Sequence, residues 1–174
     1  ASNPYYFTLD GNKSEVRTVF AKQEDDGIAF YITSGNIDNA KDLDKCHYYA
    51  RLFVPTSEMD GTDIDIKGTK QYDLQLVDNV SDLTTPQYFT AFTGVTGNAS
   101  GYVSVRDRGD GSYTLTANVT GLGLKGVTHD LQFYYKGTPL VYDLSKPNQY
   151  VIGDNEPVAL KSAAYTVDEA AGLY

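Results

Sequence analysis

What most constrains this chain is a succession of short alternating runs broken by turn chemistry. Residues 5–9, 15–22, 28–32, 47–54, 63–67, 72–77, 101–106, 112–119 and 129–135 place apolar, aromatic or β-branched side chains at or near every second position, with Gly, Asp, Asn or Pro between runs. A period of two sends successive side chains to opposite faces of a strand. Runs spaced about 8–12 residues apart are the mark of a sandwich or barrel. No stretch of about 12 residues or more repeats its apolar positions with helical period. The chain is therefore read as all-β, a mostly antiparallel β-sandwich with little or no helix.

Individual elements sharpen that reading. The clearest is a hairpin formed by 101–106 and 112–119 around Asp107-Arg108-Gly109-Asp110-Gly111, where Asp-Gly supplies the positive φ that a tight turn needs. A second hairpin joins 15–22 to 28–32 through Glu24-Asp25-Asp26-Gly27, with Val16, Thr18 and Phe20 expected on one side. Residues 34–45 read as a loop or short helix, Pro55 ends the strand over 47–54, and Gly137-Thr138-Pro139 ends that over 129–135. A last strand is expected over 158–167, with a terminal helical turn over 167–173. Residues 1–149 are read as one β-sandwich domain. Residues 150–174 are either its closing strand or the start of a second, similar domain, because Tyr150-Val151-Ile152-Gly153-Asp154 and the run over 160–174 loosely echo Phe7-Thr8-Leu9-Asp10-Gly11 and the run over 14–27.

Composition enters where it excludes something. Hydrophobic residues make up 41% of the chain and aromatics 13%, which is too much for a disordered polymer. One domain of this length buries roughly 70% of its unfolded surface, so a core needs neither disulfides nor a metal. The single Cys46 leaves the redox compartment open. A net charge of −9, with no Lys/Arg cluster to relieve it, argues against nucleic acid as a partner. No apolar run approaches the 18 or so residues of a membrane span. The opening Ala1-Ser2-Asn3-Pro4 reads as a processed or recloned start, so a secretion signal, if there was one, has been removed, and a lipid anchor, if there is one, lies outside this chain.

Catalytic signatures are thin. Cys46 and His47 are neighbours that a strand would point apart, whereas a Cys/His couple must converge. Neither Gly-x-Ser-x-Gly nor His-Glu-x-x-His occurs. Asp60, Asp63 and Asp65 are the best metal candidates, followed by Asp38, Asp42 and Asp44, but none of these sets has an EF-hand register. They read as a solvated acidic face, with no metal or cofactor expected and no stabilisation by calcium. Arg108-Gly109-Asp110 is explained by its turn. Of the sequons at Asn12, Asn79, Asn98 and Asn118, the last lies within an expected strand.

The surplus that remains is tyrosine, at 15 residues with no Trp in the chain. Tyr5 with Tyr6, Tyr48 with Tyr49 and Tyr134 with Tyr135 are adjacent pairs on expected strands, so one ring of each points outward, and those of the last two pairs could meet a ligand. Three functions are ranked on this basis. The first is a non-catalytic binding or structural module, its protein or glycan partner and oligomeric state open. The second is a carbohydrate-binding module using these surface tyrosines, and the third is a glycosidase-like enzyme built on acidic residues.

Phe7-Thr8-Leu9-Asp10-Gly11, the hairpin from Ser100-Gly101-Tyr102-Val103 to Val119-Thr120-Gly121, and Phe133-Tyr134-Tyr135-Lys136-Gly137-Thr138 together resemble the secreted β-sandwich surface lipoproteins of Bacteroides-type bacteria. The resemblance implies a cell-envelope location, periplasmic or at the extracellular surface. It carries no catalytic residue over to this sequence.

Overall fold

The computed structural model describes residues 3–79, 87–91, 99–124 and 126–145. They form twelve strands: β1 (Tyr6–Leu9), β2 (Asn12–Glu15), β3 (Thr18–Gln23), β4 (Gly27–Thr33), β5 (Tyr48–Pro55), β6 (Ile64–Asp65), β7 (Asp73–Asp78), β8 (Gln87–Thr90), β9 (Ser100–Asp107), β10 (Tyr113–Leu124), β11 (Val127–Gly137) and β12 (Leu140–Val141). The helical content of the described residues is two short 3-10 segments, Ala40–Lys45 and Thr56–Glu58. Asn39 caps the first, its side chain accepting from the Lys41 amide. The chain is all-β, as its periodicity predicts.

The strands join in one sheet, in the order β12-β3-β4-β5-β7-β8-β10-β11-β1-β2, with β9 on β10 and β6 on β9. Every ladder is antiparallel except that of β12 with β3. The division into two facing sheets that a sandwich requires is not seen. The connection from β2 to β3 shows why a continuous sheet still encloses a core. β2 ends one edge of the sheet and β3 lies next to the other, yet only Val16 and Arg17 separate them. Three residue steps reach at most about 11 Å. The Val16 amide donates to the Tyr5 carbonyl (3.1 Å) and the next amide, Arg17, to the Thr33 carbonyl (3.0 Å), so two successive residues tie the two sheet ends together. The sheet must curl, and it does so as a half-barrel.

This switch corrects the single strand expected over 15–22. Val16 and Val19 enter the main core while Phe20 packs on the opposite face, so Val16 and Phe20 do not share a side. The change of pairing partner at Val16-Arg17 resets the alternation.

Inside the curl lies the main core, with Phe30, Ile32, Leu52, Leu74, Leu76, Leu115, Leu122, Leu131 and Phe133 almost fully buried. Each such side chain stabilises the fold by about 1.5–3 kcal/mol relative to exposure. The β9/β10 hairpin forms where it was expected, with Val105 opposite Leu115 and Val103 opposite Ala117, all facing this core. Gly101 in β9 has φ +126, and a Cβ there would sit 2.0 Å from the Asn118 carbonyl oxygen, so only glycine allows this approach. The β1–β2 turn uses Asp10 and Gly11 at φ 51 and 84, the signs of a type I′ hairpin. Residues 63–67 alternate as read, Ile64 and Ile66 buried and their neighbours exposed, although only Ile64 and Asp65 join the sheet.

These strands belong to the compact unit Ala1–Leu144. The strand expected over 158–167, the helical turn over 167–173 and the choice between a closing strand and a second domain over 150–174 all lie outside the described residues.

Candidate functional site

The outer face of β3, β4 and β5 carries more than a solvated strand face does. Alternation directs Phe20 of β3, Ala29 and Tyr31 of β4, and Tyr49, Arg51 and Phe53 of β5 away from the main core. Cross-strand register sets them in rows: Phe20 opposite Tyr31, Tyr31 opposite Arg51, and Ala29 opposite Phe53, which is opposite Asp73 of β7. A small second core forms on this face. Phe20 is 1% exposed and Tyr31 8%, with Ala40 and Leu43 of the 3-10 segment packed among them.

Rings build outward from that base. Tyr142, just past β12, stacks on Tyr31 with centroids 4.4 Å apart and planes at 22°, and meets Phe20 edge-on at 6.5 Å. Tyr49 lies 6.2 Å from Tyr31. Tyr88 of β8, opposite Val77 as Val77 is opposite Tyr49, stands 47% exposed at the far side. Tyr49 and Tyr88 are thus two strand spacings apart, about 10 Å. Burial, then the neighbouring Tyr88, Tyr142 and Tyr31, push the Tyr49 hydroxyl pKa up to about 12. Burial and Tyr31 also raise that of Tyr142.

Arg51 joins the rings to an acidic rim. Its Nε donates to the Tyr31 hydroxyl (3.3 Å), its Nη1 to Asp73 Oδ2 (2.9 Å), and its Nη2 lies 3.7 Å from Glu24 Oε2. The guanidinium carbon stands 5.9 Å from the Tyr31 ring centroid, within cation–π range. Lys22 pairs with Glu24 at 3.5 Å and lies 5.7 Å from the Tyr142 ring. Glu24, Asp25, Asp26, Arg51, Phe53 and Asp73 line an open pocket of about 280 Å3.

Of the tyrosines singled out from sequence, only Tyr49 belongs to this site. Tyr48 turns to the other side, packing on the main core near the His129 ring at 6.4 Å. Tyr135 also packs on the main core, while Tyr134 faces out beside Tyr6 at 6.2 Å and Tyr5 at 5.9 Å. Each adjacent pair therefore splits across the sheet as strand alternation requires. The His129 imidazole meets Asp10 Oδ2 at 2.5 Å, and the other Asp10 oxygen accepts the Asp130 amide at 2.8 Å, which fastens the β1–β2 turn to β11.

Asp60, Asp63 and Asp65 do not converge. Asp60 accepts the Thr62 amide (3.0 Å) and hydroxyl (2.7 Å), bonds that hold its carboxyl below the usual range, and Asp65 accepts the Lys67 amide (2.9 Å). Among the described residues no group of three or more His, Cys, Asp or Glu is placed to hold a metal ion. Nor is any helix there long and apolar enough to cross a membrane. Cys46 is buried and His47 exposed. Asp110 is held by its own turn through Ser112, and Asn79 is 1% exposed and donates to the Cys46 carbonyl at 2.9 Å.

Sequence reading missed Tyr31, Arg51, Tyr142, Tyr88 and the Glu24/Asp73 pair. Tyr31 and Phe20 could have been found by pairing the two runs of the first hairpin, whose outward positions meet. Tyr142 could not, because β12 is two residues long and lies beyond a Pro. Set against known proteins, the chain matches no family model, no curated protein and no solved structure.

Proposed function

We propose that this chain is a non-catalytic binding module of a cell-envelope or secreted protein, working in the periplasm or at the extracellular surface. The observation that carries the reading is the outer face of β3–β5, where Tyr31, Tyr49, Tyr142 and Phe53 stand beside the Glu24–Arg51–Asp73 ion network on a floor of buried Phe20 and Ala29. Aromatic residues and Arg are the side chains enriched where proteins bind partners. A rigid sheet holds them in place before a partner arrives, which reduces the entropy lost on association. The envelope location rests on the resemblance of 7–11, 100–121 and 133–138 to surface lipoproteins.

Tyrosine nitration tests the reading. Tetranitromethane is applied to the chain alone and with an envelope extract of the organism that makes it, and modified residues are read by mass spectrometry. Protection of Tyr88 and Tyr142, with Tyr6 modified equally in both samples, is the expected result. Equal modification of all three in both samples contradicts a binding role for this face.

A further inference from the structure

We propose that the partner of this outer face is a neutral glycan, its sugar rings lying on Tyr142, Tyr49 and Tyr88 and its hydroxyls bonded to the Arg51, Glu24 and Asp73 groups. The inference rests on the binding-module reading and names the ligand of that same face. A pyranose has an apolar C–H face and a polar hydroxyl rim. The site has the matching halves side by side: tyrosine rings, which combine apolar area with a polar tip, and an ion network rich in donors and acceptors.

Three features favour a sugar over a protein surface. Two of the three rings are already held, since Tyr142 is stacked on Tyr31 at 4.4 Å and Tyr49 lies 6.2 Å from Tyr31, so they lose little side-chain freedom when a ligand lands. The polar half is an ion network open to solvent, with Arg51 22% and Asp73 48% exposed. A protein covering it would strip water from several charges at once, at a cost that attraction recovers only with well-matched partners. Sugar hydroxyls replace those waters in kind. The third feature is length: Tyr49 and Tyr88, about 10 Å apart across β7, give a row that carries consecutive sugar units.

Charge selects among glycans. Four carboxylates, Glu24, Asp25, Asp26 and Asp73, face two cations, Arg51 and Lys22, and the whole chain stands at −9. Uronic or sulfated polymers would meet like charge both at the rim and at long range. Neutral polymers would not.

Affinity electrophoresis of the intact chain decides the matter, with xyloglucan, galactomannan or dextran in the gel as neutral probes and alginate or dextran sulfate as anionic ones. At least one neutral polymer should retard the chain and neither anionic polymer should. Tyr88→Ala and Tyr142→Ala should each weaken retardation by about tenfold, the loss typical of an aromatic anchor, while Tyr6→Ala on β1 leaves it unchanged. Tyr88 is exposed, so its loss does not threaten folding. The inference is overturned if no neutral polymer retards the chain, if an anionic one is preferred, or if both platform variants bind like the parent. The module reading fails on a separate result, the release of reducing sugar from any of these polymers by the chain.

Discussion

Two aromatic regions lie on the outside of the curled sheet, and they are built differently. On β1 and β11, Tyr6 and Tyr134 face each other across the ladder, with Tyr5 beside them and Lys13 5.1 Å from the Tyr6 ring centroid. There the rings pack on each other, bordered by Lys13 and by Glu15, the cross-strand partner of Tyr6, from the neighbouring edge strand. On β3–β5, the rings stand on buried side chains, Phe20 and Ala29, and are tied through Arg51 to two carboxylates. The first arrangement is cross-strand cover, which stabilises a sheet by modest pairwise terms. The second is a layer with its own floor and a polar wall. Tyrosine content alone does not separate them; what lies beneath and beside each ring does.

The comparison breaks most sharply on stability. Phe20→Ala removes the floor of the β3–β5 layer and should cost about 3–5 kcal/mol, as for a truncated core phenylalanine. Tyr6→Ala removes one half-exposed ring of a cross-strand pair and should cost about 1 kcal/mol or less. Urea unfolding of both variants checks the pair of values. Near-equal losses would show that the outer layer of β3–β5 is no core at all.

Alkaline pH sharpens the same contrast. An unfolded tyrosine ionises near pH 10, whereas burial and neighbouring hydroxyls hold Tyr49 protonated up to about 12. The folded state therefore keeps its proton the more tightly. That contribution is complete below about pH 10 and is lost as pH climbs from there through about 12. Thermal melts in this window should show stability falling, and Tyr49→Phe, which has no proton to lose, should flatten part of the fall. An unchanged slope in Tyr49→Phe would place the sensitivity elsewhere.

The two regions also differ in how far sequence reveals them. Local rules find whatever is settled within a hairpin: Asp110-Gly111 fixes the β9/β10 turn, and alternation fixes which ring of Tyr134-Tyr135 faces out. The β1–β11 rings follow from such rules once their strands are drawn. The β3–β5 layer depends on long-range events that no local pattern encodes. One is the switch at Val16-Arg17, where successive amides bond to Tyr5 and Thr33 at opposite sheet ends. Another is β12, two residues long and parallel to β3, which delivers Tyr142 onto Tyr31. Curling of a single sheet was likewise hidden, because alternating strands read the same whether they close into a half-barrel or face each other in two sheets.

The smallest expected effect concerns the polar wall. Arg51 and Asp73 meet at 2.9 Å, but Asp73 is 48% exposed, so water already screens much of their attraction. A double-mutant cycle with Arg51→Ala and Asp73→Ala should return a coupling of about 0.2–1 kcal/mol, the range of exposed pairs, shrinking as salt is added. Arg51→Ala alone should cost more than that coupling, since it also removes the donor to the Tyr31 hydroxyl in a half-buried setting. A coupling of about 3 kcal/mol or more, insensitive to salt, would mean the pair behaves as buried. The wall would then be part of the fold's interior, with no polar edge to offer a ligand, and the distinction between the two aromatic regions would narrow to the floor beneath them.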